Sequence, residues 1–413
     1  MKTLIKIASI FFISLLILSC SKTKSVTLKA GMWRGTIDIQ GNPLPFNFEV
    51  LNTNNAYIIN LINGPETIPL DEVTVQGDSV FIKMHIFDID IRAKINGDNL
   101  SGLYIKNYAK NYRLPFKAQF GVKNRFDNPK SNDSFDGKWE TVFTDSDGSS
   151  YPALGVFKKE GNLLSGTIMT ETGDYRYLQG FSKDKHMEVY TFDGNHAFVF
   201  KADMQQDGSL KGHFYSGKSS DETFTAIKNP NYKLHNALEL TYLKKGYDKV
   251  NFTFPGLDGK PVSLDDSKYK GKVIVLQIFG TWCPNCMDET RFYTEWYDKN
   301  KNKGVEIIGL AYENPVNGKF NFDYAKARVE KMIKKFNIGY DFVLAGTSSS
   351  KEASKSLPML NKIMSFPTSI IIDRKGKVRQ IHTGFSGPAT GKYYEDFVEE
   401  FNVLMAKLIA EKP

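Results

Sequence analysis

The sequence predicts a multidomain chain: an N-terminal all-β part, a sandwich or barrel built as two copies, followed by a C-terminal α/β domain. Three observations carry this. Between about residues 28 and 228, short alternating or β-branched runs are separated by turn dipeptides, with no sustained helical period. Inside that stretch, short patterns recur at a nearly constant offset. From about residue 254 onward, strand-like and helix-like runs alternate around a Cys-Pro-Asn-Cys tetrad.

At 413 residues there is room for two or three domains and a large core. A hydrophobic share of 41% and an aromatic share of 13% suit a globular protein rich in β structure. The formal net charge is +8, but lysines and acids interleave along the chain. No basic stripe carries stacking aromatics, so a nucleic-acid partner is not expected. The cysteines are three, Cys20, Cys283 and Cys286. Two form the close pair, which leaves no disulfide framework, and stability must come from burial.

Residues 1–20 read as an export signal. Lys2 and Lys6 precede an apolar core running from Ile7 to Leu18, too short for a comfortable membrane span. Ile17-Leu18-Ser19-Cys20 resembles a bacterial lipobox, which implies acylation of Cys20 and a lipid anchor in a membrane. Residues 21–30 would then be a polar tether. No acidic cluster follows Cys20, so the periplasmic side of the cell envelope is the expected location.

In the β-rich part, Asn63-Gly64, Asn96-Gly97, Asp147-Gly148, Asp193-Gly194 and Asp207-Gly208 supply the positive φ that tight hairpins need. The strand runs between them include Phe46 to Val50, Tyr57 to Leu61, one long run from Val80 to Ile91, Met187 to Phe192 and Ala197 to Ala202. Gly31-Met32-Trp33 is echoed by Gly137-Lys138-Trp139, and Asn99-Leu100-Ser101-Gly102 by Ser209-Leu210-Lys211-Gly212. Pro69-Leu70 and Tyr177-Leu178 fall at a similar spacing. These matches predict copies at 31–124 and 135–228, each of domain size. His85, His186, His196 and His213 are isolated and read as structural or surface groups. Tyr104, Tyr108 and Tyr112 are expected as exposed aromatics that could form a ligand patch. A spacer or recruiting platform is the expected role of this region.

A linker at 229–249, with a short helix from His235 to Lys244, leads into a domain at 250–413. That domain opens with a hairpin signal from Phe254 to Leu264. The apolar run Val273–Phe279 is a buried strand; the helix after it runs to about Lys301. A strand follows from Val305, then a helix over Phe322–Phe336 with Ala325, Val329, Met332, Ile333 and Phe336 on one stripe. A strand over Thr368–Ile372, a second from Lys377 to His382 and a helix over Lys392–Ala410 complete it.

Residues 271–289 read GKVIVLQIFGTWCPNCMDE. A strand, a turn and a helix place Cys283 at a helix N-terminus, where free backbone N–H groups and the helix dipole favour a thiolate. Two intervening residues let the cysteines close a disulfide, one thiol attacking and the other resolving. The same spacing also begins zinc ribbons, but the chain offers no second cysteine pair to complete a metal site.

Trp282-Cys283-Pro284-Asn285-Cys286 after a buried strand, Phe366-Pro367-Thr368 before another, and the hairpin-helix ending together resemble the thioredoxin fold. The opening GLDGKPVSL, the extra helix near Phe322–Phe336 and the lipid anchor are similar more specifically to TlpA/ResA-type disulfide reductases. The resemblance covers about residues 250–413. It implies an exposed attacking Cys283 and a buried resolving Cys286. It also implies a cis-Pro367 facing the pair, with Phe366 backbone groups open to an extended substrate, and a Trp282 that shapes the approach. Glu289, one helical turn past Cys286, matches an acid placed to relay a proton. Gln277 stands where ordinary thioredoxins carry a buried Asp, so another group must move that proton. Pro284-Asn285 replaces the thioredoxin Gly-Pro; this dipeptide tunes the potential, and Pro284 suits the first helical turn.

The expectation is a membrane-anchored periplasmic oxidoreductase that reduces disulfides of client proteins and is re-reduced by an inner-membrane thiol donor. No metal or organic cofactor is needed for that chemistry. Three alternatives stand beside it. One is a lipoprotein that binds a ligand or partner through its β region. Another is an oxidant of new thiols. The last is a thiol peroxidase, disfavoured because Leu276 occupies the place of that family's proline.

Overall fold

The computed structural model describes residues 26–53 and 56–412; the signal segment and Cys20 lie outside them. Eight antiparallel strands, from Gly31–Ile39 to Arg113–Phe120, close into a barrel whose first and last strands pair, Ile37 opposite Phe116. Alternation along the strands sends Trp33, Ile37, Phe46, Phe48 and Phe116 inward, so the interior is a packed core. Closure leaves no free sheet edge, and the architecture is a barrel rather than a sandwich.

The second copy repeats it. Strands from Gly137–Thr144 to Ser220–Lys228 form a ring in which Gly137–Thr144 pairs with both Ser150–Glu160 and Ser220–Lys228. Ser150–Glu160 also pairs with Leu163–Thr170, which carries the extra two-residue strand Gly173–Asp174. The duplication extends to side chains. The Trp33 indole N–H donates to Lys29 O at 2.9 Å, and Trp139 donates to Phe135 O at 2.8 Å. Gly102 and Gly212 fall in the seventh strand of their respective rings. A Cβ there would stand 2.0 Å from Arg92 O and 2.2 Å from Lys201 O of the neighbouring strands.

Two elements of the predicted course differ. The run from Val80 to Ile91 is two strands, Ser79–Lys83 and Ile89–Asn96, because His85 adopts a positive φ and Met84 N bonds Ile89 O across a turn. The linker helix is a single turn, Ala237–Leu240, capped by Asn236; the chain then extends to bridge Leu243 with Leu360.

The C-terminal domain is a five-stranded sheet flanked by helices: β1 (Val273–Phe279), α1 (Pro284–Asn300), β2 (Val305–Glu313), α2 (Phe322–Phe336), β3 (Asp341–Thr347), α3 (Ser350–Ser356), β4 (Thr368–Ile372), β5 (Val378–Thr383) and α4 (Lys392–Ala410). The order is β3-β2-β1-β4-β5, with β1 parallel to β2 and antiparallel to β4. Every residue of central β1 is buried, as expected of a strand covered on both faces.

The three bodies pack against one another. On the first barrel, Asp88 accepts from Tyr324 of α2 at 2.9 Å, and Lys331 and Lys335 pair with Glu72 and Asp71. Between the barrels, the Phe46 and Phe192 rings pack tilted with centroids 4.3 Å apart, and Tyr104 donates to the Gly194 and Asn195 carbonyls, both at 3.2 Å.

Candidate functional site

The cysteine pair sits where β1 passes into α1. Gly280 is required at the turn, because a Cβ would lie 2.1 Å from Trp282 Nε1. Trp282 Nε1 donates to Tyr312 O at 2.9 Å, and the Thr281 N–H and hydroxyl donate to the Glu313 carboxylate at 2.8 and 2.7 Å. The turn is thereby fixed from β2. Burial raises Glu313 to about 7 despite the donors on it.

Cys283 is the N-cap of α1 and Pro284 its first helical residue, where the absent N–H costs nothing. The Cys286 N–H donates to Cys283 Sγ at 3.2 Å, and the Cys283 thiol donates to Phe366 O at 3.2 Å. Both cysteines are free thiols. The Phe366–Pro367 peptide is cis, and the Phe366 ring packs edge-on to Trp282 at 5.5 Å. The residues predicted for the site therefore converge on one point.

Beneath the pair lies a buried polar group. Glu289, wholly buried on α1, accepts from Gln277 Nε2 at 2.9 Å and from Ser369 Oγ at 2.7 Å. Tyr293 supports Ser369 in turn, donating at 2.9 Å. Burial holds Glu289 up at about 7, outweighing these donors. Gln277, standing at the usual Asp position, orients the carboxylate without exchanging a proton itself. Burial likewise pushes the Cys286 thiol well up, with Cys283 and the Glu289 charge acting in the same direction.

The structure corrects the exposure expected of Cys283, which is only 6% accessible. The reason lies in the β region, which covers the site instead of acting as a remote spacer. Asn285 is held by Asp174, its Nδ2 donating to the Asp174 backbone O at 3.1 Å and to Oδ2 at 3.2 Å. Ser365 Oγ donates to Thr172 O at 2.6 Å, and Asn195 Nδ2 donates to Trp282 O. What remains open is a cleft of about 470 Å³ lined from all three bodies, with Cys283, Pro284 and Phe366 on its floor.

A buried ionic knot locks the roof. Arg176, from the second barrel, donates from Nη2 to both Glu66 oxygens at 2.6 and 2.7 Å, and its Nε lies 3.1 Å from Asp193 Oδ2. It also pairs with Asp288, two residues past Cys286, and donates to Pro284 O at 3.3 Å. Burial raises Asp288 to about 7 against the pull of Arg176.

Sequence reasoning missed Arg176, Asp174, Asn195, Lys106, Ser365 and Glu313. None of the six stands in a motif, and only tertiary packing brings them to the cysteines. Tyr104, expected on the surface, is fully buried under the second barrel, while half-buried Tyr108 and Tyr112 line the cleft. His196 lies in the cleft wall with Nδ1 3.0 Å from Asp193 Oδ2, and His85 packs 5.5 Å from Phe336. His186 and His213 pair with Asp203 and Asp221 on the second barrel.

Known proteins match the C-terminal domain. The Redoxin family matches residues 245–396, leaving both barrels outside. The chain is 30% identical over 146 residues to the thiol-disulfide oxidoreductase ResA of Geobacillus thermodenitrificans, covering 35% of this chain and 73% of that one. It is 29% identical over 155 residues to ResA of Bacillus thuringiensis subsp. konkukian, covering 38% and 77% respectively. Among solved structures, the thioredoxin domain of a thiol-disulfide oxidoreductase from Bacteroides vulgatus aligns with 38% of this chain and 99% of its own, at 25% identity and a TM-score of 0.28. Through its C-terminal domain, with a dithiol at the start of α1, this chain belongs to the ResA family of thiol-disulfide oxidoreductases.

Proposed function

We propose that the chain is a lipid-anchored reductase of client-protein disulfides, held through Cys20 on the periplasmic side of a membrane. Cys283 loses its proton to solvent and attacks one sulfur of the client disulfide as a thiolate, expelling the other sulfur as a thiolate that solvent protonates and leaving a mixed disulfide. Cys286 then gives its proton to Glu289 and attacks Cys283 Sγ. The second client thiolate leaves and takes a proton from solvent; the client has gained two electrons and the Cys283–Cys286 pair is oxidised. An inner-membrane thiol donor returns the pair to the dithiol. Trp282, Pro284, Phe366 and Pro367 border the reacting sulfur and contact the client.

One observation carries this reading. The sulfur at the helix N-terminus accepts the Cys286 N–H, while Cys286 itself is sealed beside a carboxylate poised near neutrality. The reducing direction is part of this proposal and is read from the reduction potential of the Cys283–Cys286 pair.

Trapping tests the roles. Cys286→Ser should accumulate a mixed disulfide between Cys283 and a client, seen on non-reducing gels and lost with reductant, whereas Cys283→Ser should trap nothing. Equal trapping by both would sink the assignment. For the anchor, Cys20→Ala should move the protein from the membrane to the soluble envelope fraction; retention at the membrane would contradict it.

A further inference from the structure

The roof over the cysteines restricts what can reach them. Cys283 lies on the floor of a cleft of about 470 Å³, a volume in the range of small-ligand sites and too small for a folded surface to enter. Two hydrogen bonds cross it: Ser365 to Thr172 and Asn195 to the Trp282 carbonyl. The Phe366 carbonyl, beside which an extended substrate would pair, faces the same space.

Charge in the cleft is equally selective. Asp174 is spent, its carboxylate accepting from the Arg176 and Gly387 N–H groups at 2.6 and 2.7 Å. His196 is matched by Asp193. Lys106 is the exception. It lines the cleft, rests its ammonium 5.1 Å from the Tyr112 ring centre, and forms no ion pair among the described residues. Burial lowers it to about 8 even against the pull of the Asp193 carboxylate, which forms no ion pair with it, so an anion placed directly beside it would regain what desolvation removes. Tyr108, Tyr112, Phe198 and Phe366 add aromatic surface to walls that also carry neutral polar groups such as Thr170, Thr172 and Ser216.

We infer that the substrate of Cys283 is a slender, carboxylate-bearing disulfide, a cysteine on an extended acidic segment, and that Lys106 selects it by pairing with the carboxylate. This rests on the reductase reading above and narrows its substrate class. The reaction is the same exchange: two electrons pass from the Cys283–Cys286 dithiol to the peptide disulfide, giving two peptide thiols and the protein disulfide.

Single-turnover reduction by the prereduced full-length chain tests it. Four probes suffice: the symmetric disulfide of a cysteine pentapeptide flanked by aspartates, the same with lysines, native hen lysozyme, and oxidised glutathione. The acidic peptide should be reduced at least about tenfold faster than the basic one, as a charge-assisted hydrogen bond implies, and native lysozyme should not be reduced. Lys106→Glu should invert the peptide preference. Equal rates on the two peptides, or reduction of native lysozyme at peptide rates, would overturn the inference; the wild-type series decides this even where the variant does not fold. A free small disulfide as the source is separated by oxidised glutathione. If it reacts well and the acidic peptide does not, the extended-segment claim fails. Failure of every probe while the cysteines also resist redox titration would instead overturn the reductase reading beneath it.

Discussion

Replacing Glu289 with Gln isolates the proton step. The amide preserves the size of the side chain, buried between Gln277 and Ser369, and removes only the capacity to take a proton. With the carboxyl held at about 7, roughly half of it is ionised at pH 7 and about one part in a hundred at pH 5. If ionised Glu289 receives the Cys286 proton, resolution of the mixed disulfide should accelerate about tenfold per pH unit up to near pH 7 and then level off. The sign follows from the shift: burial penalises the charged form, so the working base is lost as pH falls through the raised value. Glu289→Gln should lose that inflection and slow the step by roughly a hundredfold or more, the usual worth of a placed base. Stopped-flow mixing of the reduced protein with a chromogenic aryl disulfide resolves two releases, and only the second reports Cys286. An unchanged inflection in the second phase of the variant would refute the reasoning, as would a defect confined to the first.

Two further outcomes follow from the roof. Arg176→Met leaves Glu66, Asp193 and Asp288 without their shared cation. Breaking such a buried set should cost about 3–5 kcal/mol, read as faster hydrogen exchange and proteolysis at the junction; wild-type protection would show that the knot holds nothing. Gly173 has φ +149°, and an added Cβ would meet Asn285 Nδ2 at 2.9 Å. Gly173→Val should therefore lift the strand off the cysteine loop and raise the iodoacetamide reactivity of Cys283 several-fold, while an unchanged rate in a folded variant would contradict the covering role.

Much of the fold was legible because local signals agreed with tertiary demands. All five Asn-Gly and Asp-Gly turns have glycine at positive φ, and the bounds of α2, β4 and α4 match the periodic runs that predicted them. The paired Gly-x-Trp motifs mark equivalent strands because each indole bonds the carbonyl four residues back. The strand β3 and the short α3 went unread: their pattern is brief, and β3 gains its place only by pairing with β2. The site divided along the same line. Cys283, Cys286 and Glu289 stand in one motif or one helical turn of it, and Pro367 stands in a second, Phe366-Pro367-Thr368. Arg176, in the loop after the strand Gly173–Asp174, and Lys106, at a strand end, carry no local signature, since a lone basic residue there looks solvated until another domain covers it. The exposed Cys283 was the natural expectation from the C-terminal domain alone, and it failed because two barrels outside that resemblance close over it.

The most direct test of the account is a redox titration of the Cys283–Cys286 pair in the intact chain, followed by thiol labelling across a series of defined buffers. The reductase proposal predicts a single two-electron transition near the thioredoxin end of the scale, about −270 mV. A midpoint near about −120 mV would contradict the reductase assignment and make the protein a donor of disulfides, and no transition at all would remove the dithiol from the function.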